Sequence, residues 1–136
     1  MLTPEYVAGF FDGEGCVYVD NTKEKVYVLK ITLAQNTKLI LEKIKEIYGG
    51  NIYTRQPTST KQYEVYQWTA SGQEAFNFIL SIIPHSIVKQ QELLRAIQFP
   101  LKIIGVNPSP EIIEQRKNIR EDLQKFKKLY KIQPNL

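Results

Sequence analysis

Hydrophobic and polar residues alternate along four segments of the chain, which is the pattern of strands that bury one face. The clearest segment is "VYVLKITLA", residues 26–34. One face of this segment carries Leu29, Ile31 and Leu33, and the other carries Val28, Lys30 and Thr32. Residues 16–20, "CVYVD", predict the hairpin partner of this strand across the turn "NTKEK". Two more strands are predicted at about 51–56 and 63–70, joined by the polar loop "PTSTKQ".

Helical spacing of apolar residues predicts three helices around these strands. The first follows an N-cap at Thr3 and runs from Pro4 to about Asp12, where Gly13 and Gly15 end it. The second begins after Asn36 or Thr37 and ends at residues 49–51, "GGN". The third begins at a capping box and closes at Pro84. The capping residues are Ser71 and Glu74, and the expected core residues of the two later helices are Ile40, Ile44, Ile47, Phe76, Ile79 and Ile83.

Two more helices follow, from about 86 to 99 and from Pro110 to about Lys131. The apolar stripe of the last one comprises Ile112, Ile119, Leu123, Phe126 and Tyr130. The order of elements predicts the α+β class, with an α-β-β-α-β-β-α core and a four-stranded antiparallel sheet. We expect one domain, residues 1–136, with a core at about 4–99 and a helical extension at about 100–136.

Composition narrows the class of protein. The chain has 136 residues, 43% hydrophobic and 24% charged, which are the values of a globular domain. No apolar run approaches the ~20 residues that span a bilayer. The start "MLTPEY" is unlike a signal peptide, so we expect an intracellular protein that is neither secreted nor bound to a membrane. One cysteine and one histidine exclude an internal disulfide and a structural zinc site of the usual kind.

A net charge of +4 favours an anionic partner, and basic residues predominate in two regions, 16–61 and 116–131. Charge alone leaves nucleic acid and an ordinary solvated surface equally open.

The stretch "VAGFFDGEG", residues 7–15, places two acids at the end of the first helix, where carboxylates are disfavoured. Gly9 and Gly13 are one turn apart, beside Ala8, so another helix can approach closely. The natural partner is the same helix of a second subunit, because the chain has one copy of the stretch. Asp12 and Glu14 would then converge with their counterparts around a divalent cation. A surface turn rich in Asp and Gly explains the stretch equally well.

The same residues resemble the signature of the LAGLIDADG homing endonucleases, with Ala8, Gly9, Asp12 and Gly15 identical to the motif. Further segments that match the family are Gln35, "GGNIY" at 49–53, "YQW" at 66–68, "SGQEA" at 71–75 and "PHSIVKQQE" at 84–92. The resemblance extends from residue 4 to about 99. It implies a homodimer that pairs through the helix of residues 4–13, with Ala8, Gly9 and Asp12 as supporting residues.

The resemblance also implies the catalytic residues. Glu14 and the Gly13 carbonyl would bind Mg²⁺, for which Mn²⁺ can substitute, and Asp12 would close the helix end. Gln35 would order water near the metal, and Lys89 would lie near the scissile phosphate. A second basic residue, often found in the family shortly after the Gln35 position, falls here on Leu39, beside Lys38.

One face of the predicted sheet would form a saddle for the major groove of DNA. On alternation, Tyr18, Asp20, Lys30 and Thr32 point to that face, as do Tyr53 and Arg55 if Ile52 points inward. Arg55 is the best candidate for a bidentate contact with guanine. The complete set of predicted DNA-binding residues is Tyr18, Asp20, Lys23, Lys25, Lys30, Thr32, Lys38, Tyr53, Arg55, Lys61 and Gln67.

Other reactive or aromatic residues are assigned to structure. We expect Trp68 in the core, Cys16 as a small buried side chain, and His85 as a structural residue. Phe126 and Tyr130 are expected in the core or between subunits.

The resemblance implies a metal-dependent, site-specific endonuclease that cuts both strands of a long pseudo-palindromic DNA and leaves 3′ overhangs. Two alternatives remain. One is a binding module that does not cleave, such as an intron maturase that binds RNA. The other is an α+β interaction domain without a nucleic-acid partner.

Overall fold

A four-stranded antiparallel sheet, in the order β1-β2-β4-β3, organises the fold. The computed structural model describes residues 2–55, 64–103 and 105–132. Its strands are β1 (Gly15–Lys23), β2 (Val26–Gln35), β3 (Asn51–Arg55) and β4 (Val65–Ser71). Its helices are α1 (Pro4–Glu14), α2 (Lys38–Tyr48), α3 (Gly72–Ile82), α4 (Gln90–Ala96) and α5 (Pro110–Ile132), with a short 3₁₀ turn at Ile83–His85. The predicted α+β class and order of elements are confirmed. The loop "PTSTKQ", with Lys61, lies outside the described residues.

The strand register fixes which residues face the helices. Leu33 of β2 lies opposite Gly15 of β1 and Trp68 of β4, and Trp68 lies opposite Ile52 of β3. Leu29, Ile31 and Leu33 are fully buried, as the alternation predicts. The helices cover this face of the sheet, and the alternate residues form the opposite face.

Trp68 lies at the centre of the core, as predicted. Its ring centroid is 4.9 Å from that of Phe78, and its Nε1–H donates to the Gly49 carbonyl at 2.8 Å. Gly50 has a φ of +81°. A Cβ at Gly50 would come within 2.7 Å of the Thr69 carbonyl oxygen, so glycine allows the chain to pass closely here.

The rotation of α2 differs from the prediction. Ile44 is buried, but Ile47 is 55% exposed and Leu41 is buried in its place. Tyr48 decides this rotation, because its ring packs 5.0 Å from Phe78 and its hydroxyl lies 2.6 Å from Ser81 Oγ.

The start and the buried face of α3 also differ from the prediction. Ser71 makes no capping bond through its side chain. Glu74 accepts a hydrogen bond from Gly50 N at 3.1 Å instead, so the predicted capping box is wrong. The buried stripe is Ala75, Phe78, Ile79 and Ile82, whereas Phe76 and Ile83 are half-buried.

The C-terminal helix packs against β1 through the predicted residues Ile119 and Leu123, which are buried. Phe126 packs at the margin of the core, Ile112 is half-buried, and the side chain of Tyr130 lies outside the described residues. Nothing in the described part of the chain is both long and apolar enough to cross a membrane as a helix.

Three basic residues of α5 are used within the chain. Arg120 Nε donates to the Val19 carbonyl at 3.2 Å and Lys127 Nζ to the Val17 carbonyl at 2.6 Å. They satisfy carbonyls of β1, an edge strand, and so protect it from pairing with other chains. Arg116, which is buried, donates to the Pro100 carbonyl at 2.9 Å, and burial lowers the pKa of its guanidinium. These three cations of the basic region 116–131 are therefore structural.

We predict that Leu123→Ala lowers the free energy of unfolding by about 2–4 kcal/mol, because a fully buried leucine leaves a cavity. Leu129→Ala is the matched control on the same helix, since Leu129 is 54% exposed, and should change stability by less than about 0.5 kcal/mol. Urea unfolding measures both. Equal values for the two variants would contradict the packing of α5 described above.

Candidate active site and nucleic-acid interface

The α1 helix ends at Glu14, two residues later than predicted, and passes directly into β1. The Gly15 N–H still bonds to the Phe11 carbonyl, so the last turn is closed by the first residue of the strand. A Cβ at Gly15 would overlap the buried Phe11 ring. Glycine at this position therefore allows helix and strand to join without a loop.

The Asp12 carboxylate accepts four hydrogen bonds from the segment 86–89. The donors are the Ser86 hydroxyl at 2.5 Å, Ile87 N at 2.7 Å, Val88 N at 3.1 Å and Lys89 N at 3.2 Å. Burial would raise the pKa of Asp12, but these bonds outweigh it and hold the pKa below its ordinary value of 3.8. The donors stabilise the carboxylate despite its place near the helix C-terminus. This contact also explains why α4 begins at Gln90 rather than at about residue 86.

Lys89 lies against the end of α1. Its Nζ donates to the Phe11 carbonyl at 3.2 Å and to the Gly15 carbonyl, and it lies 5.3 Å from the centroid of the Phe11 ring. A cation is favoured at the negative end of a helix. The ammonium group is thereby fixed beside the residue that follows Glu14.

Glu14 is exposed, and no described residue forms a hydrogen bond or an ion pair with its carboxylate. Gln35 lies at the same end of the sheet, because Leu33, two residues earlier, is opposite Gly15. Its Oε1 accepts a hydrogen bond from Asn36 N at 2.9 Å. The structure thus brings Glu14, Gln35 and Lys89 to one end of the sheet. Their catalytic roles stay predictions.

The oxygen ligands at the end of α1 suit Mg²⁺ in kind, but a single chain supplies only some of the ligands that the ion needs. In the described residues no group of three or more acidic, histidine or cysteine side chains could hold a metal ion. Asp12 is engaged by the segment 86–89, so Glu14 is the one carboxylate of the stretch that is free. A carboxylate and the Gly13 carbonyl are hard oxygen ligands, and Mg²⁺ commonly keeps several waters beside one or two carboxylates. The chemistry fits, with the remaining positions left for water, phosphate or a second chain.

One face of α1 is bare. A Cβ added at Gly9 or at Gly13 would have no neighbouring atom within 4 Å, and Tyr6 on the same side is 59% exposed. Ala8 does not lie on this face as expected. It is fully buried in the core of its own chain, because its side chain points toward the sheet. Ala8 could therefore support a pair of α1 helices only from the core side of its own helix, without contacting the second helix.

The open face of the sheet carries most of the predicted DNA-binding residues. Ile52 packs against the core, so Tyr53 and Arg55 point to the open face as expected. The cross-strand rows on this face are Cys16–Thr32–Thr69–Asn51, Tyr18–Lys30–Ser71 and Ala34–Gln67–Tyr53. Cys16 is half-buried on this face, so the expectation of a buried side chain is wrong. Alternation with Val17 and Val19 places it there.

Two predicted residues of this face are paired with each other. Lys30 Nζ lies 3.0 Å from Asp20 Oδ2, and this bond raises the pKa of Lys30. Burial raises the pKa of Tyr18, which lies beside them. The positive charge of Lys30 is therefore largely balanced within the sheet.

Three predicted DNA-binding lysines, Lys23, Lys25 and Lys38, lie at the margins of the sheet. Lys23 and Lys25 are exposed around the β1–β2 turn, where Lys25 has a φ of +65°. Lys38 starts α2, with its Nζ 3.8 Å from Glu42 Oε1 and 5.8 Å from the centroid of the Tyr66 ring.

His85 Nε2 lies 3.5 Å from Glu5 Oε1, in keeping with a structural role.

Sequence reasoning missed Ser86, a buried residue that binds Asp12. The sequence predicts that residues 86–89 belong to a helix. The next two residues, Ile87 and Val88, are both exposed. An adjacent apolar pair that does not fit a buried helical stripe was the available signal for a loop here.

Comparison with known proteins identifies the fold and the motif. Residues 7–100 match the family described as LAGLIDADG endonuclease. An intron-encoded DNA endonuclease, ai2b, of Dictyostelium discoideum is 34% identical over 74 residues, covering 54% of this chain and 28% of that protein. An uncharacterized 50.9 kDa protein in ND4 intron 1 of Podospora anserina is 32% identical over 74 residues, covering 47% of this chain and 16% of that protein. The match thus spans less than a third of each relative.

Solved structures share the fold at low sequence identity. The homing endonuclease I-CvuI, in complex with its target in the presence of Ca, has a TM-score of 0.71 at 18% identity, covering 89% of this chain and 79% of that one. The archaeal intron-encoded homing endonuclease I-Vdi141I, complexed with DNA, has a TM-score of 0.69 at 19% identity, covering 90% and 82%.

We predict that Asp12→Asn lowers the free energy of unfolding by about 1–2 kcal/mol, because charge-assisted bonds to segment 86–89 are weakened. Glu14→Gln, two residues away and exposed, should change it by less than about 0.5 kcal/mol. Because its folded-state pKa is lowered, Asp12 stabilises the protein above pH 3.8, and this contribution is lost as the pH falls further. Urea titrations at pH 7 and pH 3 should therefore show the difference between wild type and Asp12→Asn shrinking in acid. A difference that grows in acid would contradict this.

Proposed function

This chain belongs to the LAGLIDADG endonuclease family, and we propose on that premise that it is a site-specific DNA endonuclease. It acts as a homodimer and uses a divalent cation, Mg²⁺, to cleave both strands of a long duplex site. One observation carries the proposal: the exposed Glu14 carboxylate lies at the end of a bare helix, and the Lys89 ammonium group is bound to backbone carbonyls at the same helix end.

The chemistry assigned to the chain follows from the contacts of each group. Glu14 and the Gly13 carbonyl would hold Mg²⁺, which supplies Lewis-acid stabilisation of charge on the phosphate. An ammonium group has three donors, and Lys89 uses two of them on the Phe11 and Gly15 carbonyls. The third is available to a phosphate oxygen. Gln35 can orient a water molecule through its amide, which reaches only Asn36 N among the contacts above.

The proposed dimer supplies a second free carboxylate and a second ammonium group at the site, which a single chain does not. Each chain offers one free carboxylate at this site, and a two-fold axis along α1 would place two copies of Glu14 and Lys89 at one location. The bare face with Gly9 and Gly13 permits the close helix approach that such an axis requires.

The proposed DNA contact uses the open face of the sheet. The major groove admits paired β-strands, and the exposed Arg55 and the polar rows of this face can contact base edges. The solved relatives I-CvuI and I-Vdi141I were both determined with DNA, which supports a duplex as the ligand.

A second candidate function is binding of intron RNA, as in a maturase. The observation that favours it is that both sequence relatives are intron-encoded or located in an intron. RNA binding does not require the free carboxylate of Glu14, so the variant Glu14→Gln separates the two functions.

We predict that the wild-type chain cuts a recurring sequence within a randomised DNA duplex library in Mg²⁺, and that Glu14→Gln lowers this cleavage at least about 100-fold. Binding should survive in Ca²⁺ for both proteins. Sequencing of cut and bound fragments measures both quantities. Glu46→Gln, an exposed acid on α2, is the matched control and should cut normally.

Selection of one sequence by binding, without cleavage in Mg²⁺ or Mn²⁺, would overturn the nuclease and leave a DNA-binding module. Affinity for structured RNA without affinity for duplex DNA at low salt would favour the maturase.

We predict that Gly9→Leu separates the dimer into folded monomers. The substitution fits the isolated subunit, because no atom lies within 4 Å of the added Cβ, and leucine favours helix over glycine. A leucine side chain would keep two α1 helices apart. Sedimentation velocity should show a fall to the 15.8 kDa chain, while circular dichroism stays unchanged. Asn77→Leu, at an exposed position of α3, is the control, and a dimer that tolerates Gly9→Leu would contradict the proposed axis.

A further inference from the structure

Arg116 of α5 is a buried cation that uses little of its hydrogen-bonding capacity within the chain. Its side chain is only 8% exposed, and its Nε donates to the Pro100 carbonyl at 2.9 Å. A guanidinium group has five N–H donors, so this bond leaves the four on the two Nη atoms. None of the described residues accepts a hydrogen bond from these Nη atoms or forms an ion pair with Arg116. Buried charges in proteins are normally paired, because an unpaired charge loses its hydration without compensation.

The two Nη atoms of Arg116 retain contact with open space. Among the described residues, no fully buried side-chain nitrogen lacks a partner, so these two atoms must keep some accessible surface. Arg116 lines a cavity of about 160 Å³. The Phe99 ring, whose centroid lies 5.4 Å from Cζ, stabilises the guanidinium group beside it. A cation that is nine-tenths buried therefore borders a cavity with its donors unused.

The cavity contains positive charge and no described acid. It lies between residues 101–103, residues 106–109 and the first two turns of α5. Among the described residues that line it, the ionisable ones are Lys102 and Arg116, and both are cations. The remaining walls are largely apolar. The apolar side chains that the argument uses are Leu101, Ile103, Val106 and Ile112.

The start of α5 adds to the positive potential of the cavity. The helix has 23 residues, and Ser109, which precedes it and lines the cavity, accepts a hydrogen bond from Ile112 N at 3.3 Å. The N-terminal end of a helix carries partial positive charge. This end alone would not define a site, but it lies beside the same cavity as the unpaired guanidinium group.

A cationic wall and an apolar lining together select an anion with an apolar body. We propose that this cavity binds a small organic carboxylate, which pairs with the two Nη atoms of Arg116 and packs its hydrocarbon part against Leu101, Val106 and Ile112. A carboxylate is planar and accepts two parallel bonds from a guanidinium fork. Inorganic phosphate suits the site less well, because its strongly hydrated oxygens would lie against apolar walls. The inference does not depend on the proposed nuclease.

The volume of the cavity limits the size of the ligand. An apolar cavity of about 150 Å³ in another protein holds benzene, which has six carbon atoms. A cavity of about 160 Å³ therefore suits a carboxylate with four to six carbon atoms. Isovalerate, a branched carboxylate of five carbons, is the probe. Isovaleramide has the same shape without the charge and is its matched control.

The test is a titration of the ¹⁵N-labelled full chain, followed by nuclear magnetic resonance in a buffer without carboxylates. Isovalerate should cause saturable shifts of the amide signals of residues 101–103 and 106–109 and of the Arg116 Nε–H signal. The expected dissociation constant is about 1–10 mM, as befits a ligand of this size. Isovaleramide should bind at least about tenfold more weakly, because it cannot pair with the cation.

Two pairs of variants identify the contacts. Arg116→Met should weaken isovalerate binding at least about tenfold. Arg120→Met should change it less than about twofold, since Arg120 also donates through Nε to a backbone carbonyl but does not line the cavity. Ile112→Phe should fill the cavity and weaken binding at least about tenfold. Its neighbour Ile113 is also half-buried but lines a different cleft, so Ile113→Phe should bind normally.

Circular dichroism confirms that each variant is folded, and the Ile112 pair decides the question if Arg116→Met does not fold. Equal affinities for isovalerate and isovaleramide overturn the role of Arg116. Equal losses in the two members of a variant pair overturn the placement of the ligand. Saturable binding of inorganic phosphate without binding of isovalerate overturns the organic carboxylate. Absence of saturable shifts up to about 50 mM isovalerate overturns the site altogether. None of these results depends on whether the chain cleaves DNA.

Discussion

The bond network between the Asp12 carboxylate and segment 86–89 is the interaction on which the site depends. It joins the end of α1 to residues more than 70 positions later in the chain and ties the segment that follows α3 to the motif. A carboxylate at a helix C-terminus is unfavourable in isolation, since the free carbonyls there are partly negative. Four donors, one of them a buried hydroxyl, reverse that balance. The same segment delivers Lys89, whose ammonium group then satisfies two carbonyls at the helix end.

Two acids two residues apart thus have opposite environments. Asp12 is saturated with donors, whereas Glu14 is exposed and receives none from the described residues. A saturated carboxylate holds structure, and a free one is available to a cation or a substrate. Sequence reasoning recognised that both acids break a local rule, and the resemblance assigned them different roles. The structure supplies the physical reason for the assignment to Asp12.

Much of the fold could be predicted because alternation and helical spacing report burial directly. Leu29, Ile31, Leu33 and Trp68 are buried as expected. The errors arose where tertiary contacts outweigh local pattern. Ile47 and Leu41 are equally apolar, and the packing of Tyr48 decides which of them points inward. Glu74 fits a capping box by spacing, but Gly50 N, a distant partner, takes its carboxylate. The start of α4 depends on a contact with Asp12. Asp12 is too far from residue 86 in the sequence for the local pattern to reveal this contact.

The electrostatics of the open face have a consequence for recognition. Lys30 and Asp20 neutralise each other, and Arg116, Arg120 and Lys127 are bound to carbonyls of their own chain. The net charge of +4 therefore overstates what any one surface offers to phosphate. A ligand that meets Lys30 must either break its pair with Asp20 or accept the pair as a donor and acceptor unit. Such a unit suits a base edge, which presents both kinds of group, better than a phosphate, which presents only acceptors. For the proposed DNA ligand, this argument assigns sequence discrimination to the centre of the sheet and affinity for the phosphate backbone to the exposed lysines at its margins.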